Sequence, residues 1–182
     1  MQQNKNITKL TRMGMLVAIS VALVYFVHFP LFPSAPFLEY DPADVPIYLA
    51  SFLYGPLAGI GVTALASVIQ GLTVSAAGGP IGILMHFLAT GSFALIAGLI
   101  YRKSPNKKMA VVALGVGVVV MTAVMCGCNL LFTPLYTGTA VKEVAAMLIP
   151  VIIPFNLLKG GLNAALVYFL YNAIFRFLHT DH

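Results

Sequence analysis

Six stretches of the chain are predominantly apolar, near 11–29, 44–54, 56–73, 80–101, 109–132 and 150–176, separated by short polar or proline-rich segments. Apolar runs of about 17 to 25 residues are long enough to span a bilayer as helices. The pattern predicts an all-α polytopic membrane protein, a six-transmembrane-helix bundle forming a single integral membrane domain over residues 1–182. The second stretch is short, because eleven residues of helix rise only about 16 Å.

The positions of the charges argue for keeping it. Arg102, Lys103, Lys107 and Lys108 surround Pro105 and Asn106, Lys5, Lys9 and Arg12 precede the first span, and Arg176 ends the last. Basic loops stay cytoplasmic. If 44–73 were one crossing, the loop at 102–108 would fall outside; a tight turn at Gly55-Pro56 between two crossings restores agreement. Both termini are then expected in the cytoplasm, and Glu39, Asp41, Asp44 and Glu143 on the outer side.

Composition agrees with a bilayer as solvent. The chain is 60% hydrophobic and 8% charged, with a mean hydropathy of +0.95, whereas soluble domains carry about a quarter charged residues. The net charge of +5 does not imply nucleic acid, since the basic residues are few and dispersed. Lys5, Lys9 and Arg12 before an apolar run also suit a signal peptide, but no small-x-small site follows Phe29, so an uncleaved first helix is expected. Cys126 and Cys128, two apart in an apolar run, are expected to pack rather than to bridge or bind metal.

Lys159 carries the most information. It lies within the last span, about 25 Å of helix from Arg176 and so toward the outer face. An ionisable residue there marks a functional site, or else snorkels to the interface. Its neighbours favour the first reading: Asn156, Lys159 and Asn163 are spaced i, i+3, i+7, on one helix face, which suits the interior of a bundle. Asn129, about 31 Å along a helix from Lys108, reaches the same depth; it either joins the pocket or bonds between helices. Three amides and an ammonium at one level suit a polar heterocycle.

The segment from Phe29 to Pro46 holds five prolines, four aromatics and three carboxylates. It reads as an ordered lid whose aromatics cover a ring, or as a stiff connector. Gly14, Ala18 and Ala22 form a small-residue stripe on the first span that admits close approach of another helix, internal or from a partner. No P-loop, HExxH or GxSxG occurs, so neither ATP hydrolysis nor other enzyme activity is expected. His86 and Ser92 face different sides of their helix.

The run Pro36-Phe-Leu-Glu-Tyr-Asp-Pro-Ala-Asp-Val-Pro46, followed by Phe52-Leu-Tyr-Gly-Pro-Leu-Ala-Gly59, resembles the substrate-binding S components of energy-coupling factor (ECF) transporters, most of all the riboflavin-specific type. Asn129 with Pro134-Leu-Tyr136, and Asn156-Leu-Leu-Lys159, are similar as well, so the likeness covers essentially the whole chain. The resemblance implies six helices, with riboflavin bound near the outer face under the first external loop. It implies that Asn129, Asn156 and Lys159 contact the flavin ring and that Leu38, Glu39 and Tyr40 belong to the lid; Asn163 is added from helix geometry. Amides both donate and accept, and lysine only donates, which suits the mixed edge of an isoalloxazine. The resemblance further implies that Ala18 and Ala22, with Gly14 extending the stripe, dock onto a transmembrane coupling subunit served by two cytoplasmic ATPase subunits. Riboflavin would be the transported ligand; no cofactor and no metal is expected. The expected setting is the lipid of a prokaryotic cell membrane. Another vitamin or FMN in the same architecture, with Lys142 on the outer side to assist a phosphate, and a structural membrane protein without transport function remain open from the residues alone.

Overall fold

A computed structural model describes residues 2–32, 35 and 38–179. Among these residues seven α-helices run in chain order: α1 (Gln2–Phe26), α2 (Asp44–Tyr54), α3 (Pro56–Leu72), α4 (Gly79–Lys103), α5 (Lys107–Thr137), α6 (Val141–Met147) and α7 (Ile153–His179). Between α1 and α2 the strands β1 (Phe29–Pro30) and β2 (Glu39–Tyr40) pair antiparallel, Phe29 opposite Tyr40 and Pro30 opposite Glu39. The expected all-α class holds apart from this two-rung ribbon. Of the expected lid, Pro33, Ser34, Pro36 and Phe37 lie outside the described residues.

Among the described residues, four helical stretches are long and apolar enough to cross a membrane: Asn6–Phe26, Ala76–Lys103, Lys107–Thr137 and Val141–Tyr171. Helix α3 is apolar but shorter, and α2 has eleven residues. The expected turn between them is present. Gly55 has φ of 92°, a conformation that favours glycine, and Pro56 opens α3 where a missing N–H costs nothing. The last two spans differ from expectation in extent. Helix α5 continues through Pro134 to Thr137, and the final span starts earlier, as α6 followed by a π-helical turn at Leu148–Ile152.

Small residues bring α2 and α3 against α4. A Cβ on Gly98 would collide with the Ser51 side chain and come within 3.0 Å of the Pro56 Cα, while one on Gly59 would lie 2.7 Å from the Ser51 Cβ. The Ser51 hydroxyl donates to the Ala94 carbonyl. Below the turn Tyr48 stacks on Phe93, centroids 3.6 Å apart, and α5 accommodates Phe93 at Gly117. Close packing of small residues is how helices associate where lipid offers no hydrophobic drive. The result fixes the first residue of α2, Asp44, beside α4. Leu57, Leu65, Leu72, Leu131, Leu135 and Phe169 lie exposed on the outside, as lipid-facing residues would.

Candidate functional site

Asp44 is 1% exposed, and its carboxylate accepts from three side chains. Its Oδ1 takes the Thr90 hydroxyl at 2.9 Å and His86 Nε2 at 3.2 Å; its Oδ2 takes the Asn163 amide at 3.3 Å. Thr90 and His86 are one helical turn apart on α4, so a single helix face presents both. A carboxylate only accepts, so a neutral imidazole carries its proton on Nε2 and its Nδ1 accepts from the Ser67 hydroxyl at 2.8 Å. Ser67, His86 and Asp44 thus stand in the order of a hydrolytic triad. Ser67 is 2% exposed, however, and Asp44 is shared with Thr90 and Asn163, so the cluster joins four helices rather than presenting a nucleophile. Nearby, Gln70 donates to Ser20 at 3.1 Å and Ser20 to the Ala43 carbonyl at 2.7 Å, tying α3 and α1 to the entry of α2.

One turn of α7 above Asn163, Lys159 turns inward. Its Nζ donates to Asp41 Oδ2 at 2.7 Å and to the Glu39 carbonyl at 3.4 Å. The other Asp41 oxygen caps the backbone N–H of Ala43 at 3.0 Å, and the Asp41 carbonyl accepts from Asn163 at 3.1 Å. Asn156 and Asn163 are buried on the same face, while Leu157, Leu158, Leu162 and Leu166 are exposed on the opposite one. The π-helical turn, with Pro150 inside it and Pro154 just after, sets the rotation at which this face begins.

Two adjoining cavities open here, of about 230 and about 410 Å³. Both are bordered by Glu39, Gly78, Gly82, His86, Tyr136 and Lys159. The smaller adds Asn129 and Asn156, three methionines (Met85, Met121, Met125), Phe155 and Leu38. Methionine and aromatic walls are polarizable and adaptable, suited to the faces of a flat ring. The polar groups stand ready at its rim. Asn129 donates one N–H to the Met125 carbonyl at 2.8 Å and accepts from Thr133 at 2.9 Å, which fixes the amide and leaves its second N–H. Asn156 donates to the Ile152 carbonyl at 2.8 Å and keeps its Oδ1. The larger cavity is more polar, with His28, Asp41, Ser67, Gln70 and Ser75 on its wall.

The structure therefore brings together Leu38, Glu39, Asn129, Asn156 and Lys159 of the residues expected at a site. Tyr40 lies behind the wall, buried against Phe29 with centroids 5.5 Å apart, and Asn163 lies beneath it as the support of Asp41 and Asp44. Burial, then the neighbouring Asp41 carboxylate, hold the Tyr40 phenol above its usual pKa. Asp41 and Asp44, expected simply on the outer side, are buried and bonded at the head of α2. His86, Ser67, Thr90 and Gln70 were not anticipated; the i, i+4 pair His86 and Thr90 was the available signal. Gly14, Ala18 and Ala22 line neither cavity; they are exposed along an apolar groove between α1 and α3 that Tyr25, Phe26 and Ile69 continue.

The chain is 34% identical over 184 residues to the riboflavin transporter RibU of Staphylococcus aureus (strain TCH60), covering 98% of this chain and 94% of that one. It is 36% identical over 163 residues to the riboflavin transporter FmnP of Bacillus subtilis (strain 168), covering 85% of each. A solved structure, the S component of a bacterial ECF transporter, superposes with a TM-score of 0.81 at 35% identity, covering 97% of this chain and 98% of that one. The family described as ECF transporter, substrate-specific component, matches residues 8–171, and the chain belongs to that family.

Proposed function

We propose that this protein captures riboflavin at the outer face of a prokaryotic cell membrane, as the binding subunit of an ECF-type uptake transporter. One observation carries the ligand reading: Asn129, Asn156 and Lys159, from two helices, meet at one methionine-lined cavity under Leu38. Their hydrogen-bonding capacity suits a ring edge that mixes carbonyls, ring nitrogens and an N–H, and the similar proteins of S. aureus and B. subtilis are riboflavin transporters.

The topology follows from charge. Arg102 and Lys103 lie about 25 Å along α4 from His86, and Lys107 and Lys108 about 32 Å along α5 from Asn129, at the opposite end from the cavity. With that basic end cytoplasmic, the cavity faces outward, α2 and α3 count as two short crossings, and both termini are cytoplasmic. Six spans in one integral membrane domain result. Transport against a gradient then draws on an external motor, a transmembrane coupling subunit with two ATPases, docked along Gly14, Ala18 and Ala22.

The test is titration of the purified protein against riboflavin, followed by quenching of flavin fluorescence, beside a panel of other vitamins. Saturable quenching at stoichiometric protein, strongly weakened in Lys159→Ala while membrane insertion persists, is the expected result. A parent protein that quenches no flavin fluorescence refutes the proposal.

A further inference from the structure

Among the described residues lining either cavity, Lys159 is the one Lys or Arg. Its charge is already met by a carboxylate: Asp41 Oδ2 stands 2.7 Å from the ammonium, and the two side chains are 11% and 15% exposed. Asp41 is not free to leave, being held through its other oxygen to the Ala43 N–H and through its carbonyl to Asn163. Lysine has three N–H groups. One goes to Asp41 and one, longer, to the Glu39 carbonyl, so a third remains for a ligand. The site thus keeps a lysine as a donor while cancelling it as a charge.

The other ionisable groups tilt the balance further. Glu39 borders both cavities, Asp44 the smaller and Asp41 the larger, against Lys159 and the two imidazoles of His28 and His86. Lys142, the remaining basic residue on the outer side, is exposed on α6 and lines neither cavity. A phosphate monoester carries close to two negative charges at neutral pH. Riboflavin and its 5′-phosphate share the same ring and polyol, so the same hydrogen bonds serve both, and only the second meets this excess of carboxylate.

We propose that Asp41 is a specificity-determining residue: by neutralising Lys159 without consuming all its N–H groups, it makes the site favour the uncharged flavin over its phosphorylated form. Asp41 acts through Lys159, as a positioning residue. The inference rests on the riboflavin reading above. If Asp41 merely held the lysine in place, its loss would weaken both ligands alike; as a charge balance, its loss changes their ratio.

The experiment compares riboflavin and FMN by fluorescence quenching in the purified parent, Asp41→Asn, the double variant Asp41→Asn/Lys159→Met, and Lys159→Met. The parent is expected to bind riboflavin more tightly than FMN. Asp41→Asn should narrow that preference about tenfold at low salt, because one uncompensated ammonium at the ring edge now attracts the phosphate through space from the other end of the ligand, and by less at high salt. The double variant, again without the positive charge, should recover the parental ratio although both affinities fall. Should Asp41→Asn not insert, the double variant compared with Lys159→Met alone carries the test: the preference for riboflavin should be wider in Lys159→Met, where the Asp41 charge stands bare, than in the double variant. A parent that binds riboflavin, with Asp41→Asn at an unchanged ratio, overturns this inference alone. A parent that binds FMN more tightly does so too, and one that binds no riboflavin removes the functional reading and this inference together.

Discussion

The side-chain amide of Asn163 lies 3.3 Å from a carboxylate oxygen of Asp44, across the bundle from α7 to α2, and both residues are closed to solvent. The same amide reaches the Asp41 backbone carbonyl, so one residue holds both acidic residues at the head of α2. Replacing it by its acidic analogue puts two carboxylates face to face in a dry site. Asn163→Asp is expected to lose about 3–5 kcal/mol, the scale on which a buried charge left uncompensated destabilises. Asn163→Ala should lose about 1–3 kcal/mol, because Asp44 retains Thr90 and His86. Thermal melting in detergent, without ligand, checks the order of the two.

Glycines make a second, purely steric prediction. Gly98 faces the backbone of Pro56 and the side chain of Ser51, neither of which can retreat without parting α2 from α4. Gly127, on α5, has open space where its Cβ would stand. Gly98→Ala should therefore destabilise by about 1–3 kcal/mol, the usual cost of overpacking a close contact. Gly127→Ala should be neutral or stabilise by up to about 1 kcal/mol through helix propensity. Equal melting temperatures for the two variants would contradict the packing described.

The contrast between what the residues revealed and what they hid has a physical cause. Spacing along one helix fixes which side chains share a face, so the common face of Asn156, Lys159 and Asn163 followed from their numbers, and its inward direction from the cost of turning three polar groups to lipid. The Gly55-Pro56 turn was equally local, since glycine permits the backbone angle and proline suits the first turn of a helix. Partners on different helices leave no such trace. Asp44 meets Asn163 after 119 residues and Thr90 after 46, and nothing in the spacing of α2 announces either. The π-helical turn was hidden for another reason: Leu148–Ile152 is as apolar as the helix it interrupts, and hydropathy measures length rather than winding. Tyr40, implied to belong to the lid, packs against Phe29 behind the cavity wall because strand pairing turns it away from the cavity.

The stripe on α1 supplies a prediction that separates capture from delivery. Ala18 and Ala22 are exposed and lie on the face away from Ser20, whose hydroxyl points into the bundle. Bulk added on the outer face leaves the cavity untouched while holding any partner helix away. Ala18→Trp/Ala22→Trp should bind riboflavin within about twofold of the parent, a difference below about 0.5 kcal/mol, and should abolish riboflavin uptake by cells. Uptake at the parental rate would show that no helix docks there.

The ribbon between β1 and β2 gives the last prediction, on the rate at which ligand leaves. Leu38 and Glu39 border the cavity, and their position depends on the two-rung pairing that sets Phe29 opposite Tyr40. Two rungs are a marginal ribbon on their own, so the contact between those rings, with centroids 5.5 Å apart, contributes a large share of its order. Aromatic pairs add about 0.5–1.5 kcal/mol beyond the area they bury. If ligand escapes by opening of this segment, Tyr40→Ala should raise the dissociation rate by roughly two- to tenfold, with a smaller effect on association. Tyr40→Phe should keep the parental rate, since the ring rather than the hydroxyl carries the contact. Stopped-flow displacement of bound riboflavin reads both. Equal dissociation rates in Tyr40→Ala and the parent would mean that the ribbon does not gate the cavity.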